Sequence, residues 1–472
     1  MKEYVTHIGI EVHVSLNTKT KAFCSCRNEF GAMPNTLVCP VCYGLPGGVP
    51  SLNRRAIEFT IMSGLVLGSD IANEFSFERK NFFSADMPKG YQLVQYSMPV
   101  CKGGFVELLS GKKVILNRIH LEEDSGRFVY DNDKNLICID YNRSGAPVLE
   151  IVSEPVEMNA YDVNEYLFKL RRKLMFAGVS DCRIQEGGFR FDINLSINPK
   201  GKDGLGTRVE LKNLNSSKSI ISAIEYEVER QIAILESGDR VAMETRVWDC
   251  EMNKTYVVRP KEMLQDYRHF RDPDFKLIRL TSSDINRIRE DLPESYEDRC
   301  IRYRRLGLSE EQIDIITAEK HIADFFDKTI SLVHLPQEIF NWITTEVFRV
   351  YKEQNKTDFS SIVNPEDLAT IITLIEDNKI SRVNARALFD QVICTGKSAS
   401  ILSKEMALTG DVDDDVIVAI IEDILKSNLS IVDDYKSKPD EVTNFFVGQV
   451  LSQTSNKADP EKVKTILVGR MN

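Results

Sequence analysis

Apolar and polar residues alternate along three stretches of the first half of the chain. Ile8, Ile10, Val12 and Val14 take every second place in one, Phe189, Phe191, Ile193 and Leu195 in another, and Val209 and Leu211 in a third. Successive side chains of a strand point to opposite faces, so each stretch predicts a strand with one buried side. The places in between hold Glu11 and His13, then Arg190, Asp192 and Asn194, then Arg208, Glu210 and Lys212. Helical spacing interrupts these strands. Val163, Leu167, Leu170 and Leu174 share a face of a helix that starts near Asn159 and stops at Gly178; Ile220, Ile224, Val228 and Ile232 share a face of another that stops at Gly238. From about Pro293 the alternation fades. Amphipathic helices follow, separated by caps and by prolines such as Pro336 and Pro365, with a last helical module from near Ser400. The pattern predicts an α+β chain with a β-rich domain over residues 1–292, a helical domain over 293–400 and a small helical tail domain over 401–472.

Composition narrows this only a little. The 472 residues are 42% hydrophobic and 28% charged, an ordinary globular balance for roughly two to four domains. The opening Met1-Lys2-Glu3-Tyr4 leads straight into strand alternation, without the pattern of a signal peptide. The longest apolar runs, Ile61 to Leu67 and Val416 to Ile421, are too short to span a bilayer. A cytoplasmic chain without a membrane partner is the expectation. The net charge of -11 argues against a general attraction to nucleic acid, although it says nothing of local patches. Two basic groups, Lys169, Arg171, Arg172 and Lys173, and Arg299, Arg302, Arg304 and Arg305, lie on helical patterns. Each alone reads as a solvated face.

Of ten cysteines, four are clustered: Cys24 and Cys26 are separated by twelve residues from Cys39 and Cys42. Two knuckles flanking a loop can reach a tetrahedron of thiolates, which suits a zinc ion. Four ligands close the site, so it is structural, and removal of Cys39 is expected to affect metal content and stability more than chemical rate.

Other residues carry candidate chemistry. The run Glu122-Glu123-Asp124 follows His120, and Glu150 sits within the apolar Val148-Leu149-Glu150-Ile151-Val152. A carboxylate in such a place is paired in a buried salt bridge or bound to a metal. Arg79-Lys80-Asn81 and the turn Pro88-Lys89-Gly90-Tyr91-Gln92 suit an anion, and equally an ordinary surface loop. Each polar strand face can be a solvated one. Together, these carboxylates and cations are what phosphoryl transfer needs, to hold Mg²⁺ and to neutralise phosphate charge. No Walker A loop is present: Thr395-Gly396-Lys397-Ser398 has Gln391 where the first glycine should stand. Nor is there a serine-rich amidase signature or a glutaminase cysteine motif. An ammonia source would be another chain.

Ile8 to Val14, Arg79-Lys80-Asn81, Pro88 to Gln92, Glu122-Glu123-Asp124, Asn142-Arg143, Glu150-Ile151-Val152-Ser153-Glu154-Pro155, Glu210 to Ser216 and Phe446-Val447-Gly448-Gln449-Val450 closely resemble, in order and along nearly the whole chain, the GatB family, the B subunits of aspartyl/glutamyl-tRNA(Asn/Gln) amidotransferase. The resemblance implies a ligase that phosphorylates the side-chain carboxylate of Glu-tRNA(Gln) or Asp-tRNA(Asn) with ATP. Ammonia from a GatA-type glutaminase subunit then displaces phosphate, and a small GatC-type subunit completes a heterotrimer. It implies a cradle domain, a helical domain and a YqeY-like, tRNA-binding tail. Carried over by motif, Glu11, His13, Glu123 and Glu150 would hold Mg²⁺, Lys80 would neutralise phosphate and Asp192 would complete the catalytic set. Lys89, Tyr91, Arg190, Glu210, Lys212, Asn213 and Asn215 would bind substrate or nucleotide. Magnesium prefers oxygen, so His13 would orient a water or a carboxylate. The tail has 8 Lys and Arg against 13 Asp and Glu, which leaves tRNA contact to local lysines such as Lys457, Lys462 and Lys464. The chain departs from the family pattern at Phe82 to Asp86, at His269 and Arg271, and at Asn456 to Pro460, none of them a proposed catalytic group. Two other readings stand beside this one. The first is a non-catalytic zinc-containing tRNA-binding protein, which would not need the carboxylates. The second is a small-molecule ligase, for which the long helical C-terminal part is excessive.

Overall fold

The computed structural model describes residues 3–131, 133–260, 267–354, 359–406, 414–428, 431, 439–454, 458 and 460–471. The chain divides into two compact units, Met1–Arg299 and Cys300–Asn472. The first is β-rich with three long helices, and the second is helical among its described residues, in line with the α+β expectation.

The first unit is built on an eleven-stranded sheet. In chain order its elements are β1 (Tyr4–Ser15), α1 (Arg54–Val66), β2 (Asp70–Ile71), β3 (Cys101–Lys102), β4 (Lys113–Glu123), β5 (Pro147–Ser153), α2 (Ala160–Phe176), β6 (Phe189–Pro199), β7 (Val209–Lys212), α3 (Ser217–Glu236), β8 (Glu244–Asp249) and β9 (Lys254–Pro260). Their spatial order is β9-β8-β7-β6-β1-β5-β4-β3-β2, with two short strands pairing off this path. All pairs along it are antiparallel except β7 with β8. β1 is thus central, hydrogen-bonded to β5 on one side and β6 on the other.

One face of this sheet is apolar. Ile8, Ile10, Val12 and Val14 of β1 are at most 1% exposed, as the alternation requires. Ile193 and Leu195 of β6 and Leu149 and Ile151 of β5 are equally buried, each such side chain contributing roughly 1.5–3 kcal/mol. α3 packs against β6 and α1 against β4, while α2 packs against both helices. α2 begins with a capping box in which Asn159 and Asp162 satisfy each other's backbone N–H, and it ends before Gly178 at φ +73°.

Two helical expectations are corrected. The buried stripe of α3 is Ile220, Ala223, Ile224, Glu227 and Gln231, so Val228 and Ile232 lie at its margin. Glu227 occupies the centre because it accepts from Arg230 at 2.6 and 2.9 Å and faces Arg246 at 3.6 Å. The basic stretch of α2 is not a solvated face throughout. Arg172 is 2% exposed, its guanidinium 3.8 Å from the Phe168 ring centre and bonded to Tyr296 Oη at 2.6 Å. Lys173 pairs with Glu297, and Arg299 is also buried.

In the second unit, Pro336 and Pro365 each open a helix, as their fixed φ favours. Gly396, the lure of a phosphate loop in the sequence, is the left-handed C-cap of the helix Arg382–Thr395. The helix Ala399–Glu405 packs on Pro365–Glu376 and Arg382–Thr395. The tail has its own apolar cluster of Ile417, Ile421, Ile424, Val442, Phe446, Val450, Ala458, Val463 and Leu467. Among the described residues no helix is long and apolar enough to cross a membrane.

Candidate active site

The other face of the sheet is polar, and strand register decides what meets there. Glu11 of β1 stands opposite Asp192 of β6, and His13 opposite Arg190. Across the other edge of β1, His13 stands opposite Glu150 of β5. Glu150 is in turn opposite His120 of β4, and Val148 opposite Glu122. Asn194 of β6 faces Glu210 of β7. Side chains from five strands therefore share one surface, an arrangement available only because the strands pair in this order.

Two groups of possible ligands result. His13, Glu122 and Glu150 bring one donor atom each within 4.8 Å of one another, and so do Glu11, Asp192 and Glu210. His120 Nε2 lies 3.1 Å from Glu122 Oε1 and 3.0 Å from Glu150 Oε2, so one imidazole holds both carboxylates. Arg118 approaches Glu150 at 4.0 Å. Lys212 pairs with Asp192 and reaches Glu210 at 3.6 Å, while the Thr245 hydroxyl donates to Glu210 at 2.7 Å.

A three-stranded ribbon, Glu78–Asn81 with Tyr91–Val94 and Phe270–Arg271, supplies the remaining wall. Lys80 and Gln92 are directly opposed in it, so their side chains emerge on the same side. Gln92 donates to Glu122 Oε2 at 3.0 Å and to the Glu123 carbonyl at 2.7 Å. Lys80 lies 5.1 Å from the Tyr267 ring centre. Between ribbon and sheet is a cavity of about 230 Å³, lined by His13, Lys80, Gln92, Glu122, Glu123 and Arg190 among others.

Burial and crowded charge set the protonation states. Burial pushes the Glu11 carboxyl above its usual range, and Glu150, Asp192 and Glu210 push the same way against His13. Burial would also raise Glu150, but the hydrogen-bonded His120 imidazolium, with His13 and Glu122, holds it well below the carboxylate range. Burial disfavours a charged His120, yet Glu150 and Glu122 outweigh it and raise the imidazole to about 9. Lys80 follows the same logic: burial lowers it, and Glu122, Glu150, Tyr267 and Glu11 more than reverse the effect, which keeps it an ammonium.

The expected residues fall into three sets. Glu11, His13, Lys80, Glu150, Asp192, Glu210 and Lys212 are brought together, and Arg190 lines the cavity while pairing with Asp124 at 2.9 Å. Glu123 is placed differently from the expectation that grouped it with Glu11, His13 and Glu150. Its carboxylate pairs with Lys89 and accepts from Leu93 N at 2.9 Å, and Glu122 takes the place beside Glu150. Tyr91 is engaged by the Arg79 guanidinium at 4.1 Å and by Lys89 at 5.2 Å. Asn213, at φ +65°, and Asn215 lie in the exposed turn after β7, bonded to Trp248 O and to each other. The sequence marked the stretches that hold Glu122, His120 and Gln92 as candidate chemistry but did not count these three, or Arg118, among the site residues. The alternation of β4 could have paired His120 with Glu122, but the two adjacent glutamates gave no indication of which belonged to the cluster. In the tail, Lys462 is paired with Asp414 at 2.5 Å and Lys464 is exposed, and Lys457 lies outside the described residues.

The four clustered cysteines converge as expected. Cys42 Sγ is 3.6 Å from Cys24, 3.8 Å from Cys39 and 4.0 Å from Cys26. A tetrahedron with metal–sulfur bonds of about 2.3 Å has edges of roughly 3.8 Å, so the thiols fit a zinc ion. The hydrogen bond from Cys24 and, against burial, the Lys21 ammonium lower the Cys42 thiol to about 4.

The chain is similar to known proteins along nearly its whole length. Residues 6–286 match the family model of the GatB/GatE catalytic domain, and residues 324–471 that of the GatB domain. The chain is 41% identical over 471 residues to a Lachnoclostridium phytofermentans protein named as the B subunit of aspartyl/glutamyl-tRNA(Asn/Gln) amidotransferase, covering 99% of this chain and 98% of that one. Proteins of the same name from Caldicellulosiruptor saccharolyticus and Persephonella marina are each 40% identical, over 473 and 470 residues, with 98% of this chain and 98% and 99% of theirs covered.

Proposed function

The chain belongs to the family of aspartyl/glutamyl-tRNA(Asn/Gln) amidotransferase B subunits, glutamine-dependent amidotransferase ligases, and from this we propose that its polar sheet face phosphorylates the side-chain carboxylate of Glu-tRNA(Gln) or Asp-tRNA(Asn) with ATP before ammonia is added. The observation that carries this reading is the convergence of two groups of possible ligands, His13/Glu122/Glu150 and Glu11/Asp192/Glu210, beside the Lys80 ammonium.

A carboxylate oxygen of the aminoacyl group attacks the γ-phosphorus of ATP, and ADP leaves with the bridging electron pair. The product is an acyl phosphate. Ammonia then attacks its carbonyl carbon, the C–O bond to phosphate breaks, and inorganic phosphate departs as the nitrogen loses a proton. The first step gathers negative charge in a cavity already rich in it, so cations must be fixed there. Lys80 supplies one. The carboxylates of the two groups, Glu122 and Glu150 in one and Glu11, Asp192 and Glu210 in the other, fit Mg²⁺, which takes oxygen ligands, because the raised Glu11 carboxyl marks a repulsion that a bound cation would relieve. Bound there, Mg²⁺ would supply charge neutralisation for the phosphate oxygens. His120 holds Glu122 and Glu150 in place, Gln92 also holds Glu122, and His13 stands beside both carboxylates. Arg190 offers positive charge in the cavity lining, and the buried Lys89 neutralises Glu123 behind it.

The same reading gives residues 1–292 the chemistry as a cradle domain, leaves 293–400 as a helical domain and assigns tRNA binding to the YqeY-like residues 401–472. Ammonia comes from a GatA-type glutaminase subunit, with a GatC-type subunit completing the complex, and the cysteines hold a structural zinc ion. The test is ATP hydrolysis by the purified complex with and without Glu-tRNA(Gln). Turnover that requires the charged tRNA and is lost in Glu150→Gln supports the reading. Turnover that ignores the tRNA would favour a ligase of small molecules, and tRNA binding with no turnover would favour a binding module.

A further inference from the structure

The cysteine cluster and the cavity look independent in the sequence, but the turn after the cysteines packs on Lys89, the partner of the cavity-lining Glu123. Two residues beyond Cys42, Gly44 adopts φ +64°, and a Cβ there would stand 2.7 Å from Lys89 Cα and 3.0 Å from Lys89 N. These are backbone atoms, which cannot rotate away. Only glycine lets the two chains come so close. Lys89 is the residue that pairs with Glu123 beneath the cavity, both side chains nearly fully buried.

Further contacts run in parallel. Lys21, 0% exposed, donates to Cys42 Sγ at 3.3 Å and to the Tyr141 carbonyl at 3.3 Å. Tyr43 packs edge-on against Tyr141 with ring centres 5.4 Å apart, and Tyr141 Oη donates to Ala85 O at 2.7 Å, in the loop that leads to Lys89. The loop between the cysteine pairs is fastened to the same segment: Asn35 accepts from Tyr141 N at 2.8 Å, and Asn142 accepts from Leu37 N at 2.8 Å. Ala22 N donates to Gly145 O at 2.8 Å, and Gly145 N to Asp124 O at 2.9 Å. Gly145 is itself flanked by the Lys21 stem and the Glu123 carboxylate: a Cβ there would lie 3.6 Å from one and 3.8 Å from the other.

We propose that the cysteine knuckle is a positioning device for Lys89, the buried partner of the cavity-lining Glu123, and that Gly44 is the positioning residue through which it acts. The role in catalysis rests on the phosphorylation reading above; the role in placing Lys89 does not. A metal-stiffened knuckle holds its own turn rigid, and the Gly44 contact passes that rigidity to Lys89.

Two other glycines provide the control. Gly31 at φ +83° and Gly47 at φ +85° share the left-handed backbone, yet a Cβ at either meets nothing within 4 Å. Alanine at each position therefore carries the same kind of backbone strain, and only Gly44→Ala displaces Lys89. The experiment compares Gly44→Ala, Gly31→Ala and Gly47→Ala in the assembled complex. It measures zinc per chain, acetylation of Lys89 by an amine-reactive ester, and kcat and KM for ATP in charged-tRNA-dependent turnover. The expected result is full zinc in all three, Lys89 labelled at least tenfold faster in Gly44→Ala alone, and kcat lowered at least tenfold in that variant with KM little changed. Should Gly44→Ala fail to fold, Tyr141→Phe, which loses the bond to Ala85, is expected to give the same labelling of Lys89 with zinc retained. If Lys89 stays as protected as in Gly47→Ala, or zinc is lost together with the protection, the proposal is overturned. An inactive wild-type complex in which Gly44→Ala still exposes Lys89 would instead overturn the phosphorylation reading and leave the positioning role standing.

Discussion

Glu122 and Glu123 are neighbours in the chain with different partners: Glu122 shares His120 Nε2 with Glu150, whereas Glu123 is paired with Lys89. The two carboxylates therefore answer to different experiments. Glu122→Gln removes charge from the donor cluster and is expected to lower kcat by about 100-fold or more while the melting temperature stays close to that of wild type. Glu123→Gln leaves a buried ammonium without its counter-charge. It is expected to cost about 3–5 kcal/mol of stability, measured by denaturant unfolding. Equal rate losses with equal stability for the two variants would contradict this division.

The raised imidazole of His120 gives a pH signature. Its folded value of about 9 lies above the ordinary 6.5, so its contribution to stability is fully present below pH 6.5 and is lost as pH rises through about 9. Melting temperature measured from pH 6 to 10 with a chelator present should fall over the alkaline part of that window. In His120→Gln that part of the fall should vanish. A wild-type profile flat through pH 9 would show that His120 does not carry the charge assigned to it.

Arg172 stands where the sequence suggested a basic surface. Because it is buried against Phe168 and Tyr296, Arg172→Ala is expected to lower stability by roughly 2–3 kcal/mol. Its effect on the salt dependence of tRNA binding should be nil, since a buried guanidinium releases no phosphate counterions. A reduced salt slope in a fully stable variant would place Arg172 at the tRNA instead.

These three cases mark what alternation can and cannot tell. The period of two in β1 and β6 put Glu11, His13, Arg190 and Asp192 on a common polar side, and that much follows from a strand's geometry. Which of Glu122 and Glu123 joins them depends on the pairing of β4 with β5, and register between strands far apart in sequence is not written in either strand alone. Glu227 and Gln231 of α3 were invisible as core for a different reason. The burial of Glu227 is sustained by Arg230 and Arg246, the second of which comes from β8, and Gln231 donates to Glu227. The cysteine spacing was legible because a tetrahedral ion sets it locally. The contact of Gly44 with Lys89 was not, because a glycine shows its meaning only when the opposing backbone is known.

The account as a whole turns on whether this sheet face activates a carboxylate. The direct measurement is ATP-dependent conversion of Glu-tRNA(Gln) to Gln-tRNA(Gln) with ammonium chloride as nitrogen source, using the assembled complex with wild-type chain or with Glu11→Gln, and with tRNA binding measured alongside. Ammonium bypasses the glutaminase, so only activation and amidation are tested. The account predicts product from the wild type, at least about a 100-fold loss in Glu11→Gln, and equal tRNA affinity for both. Undiminished product from Glu11→Gln, or none from a wild type that binds tRNA, would contradict it.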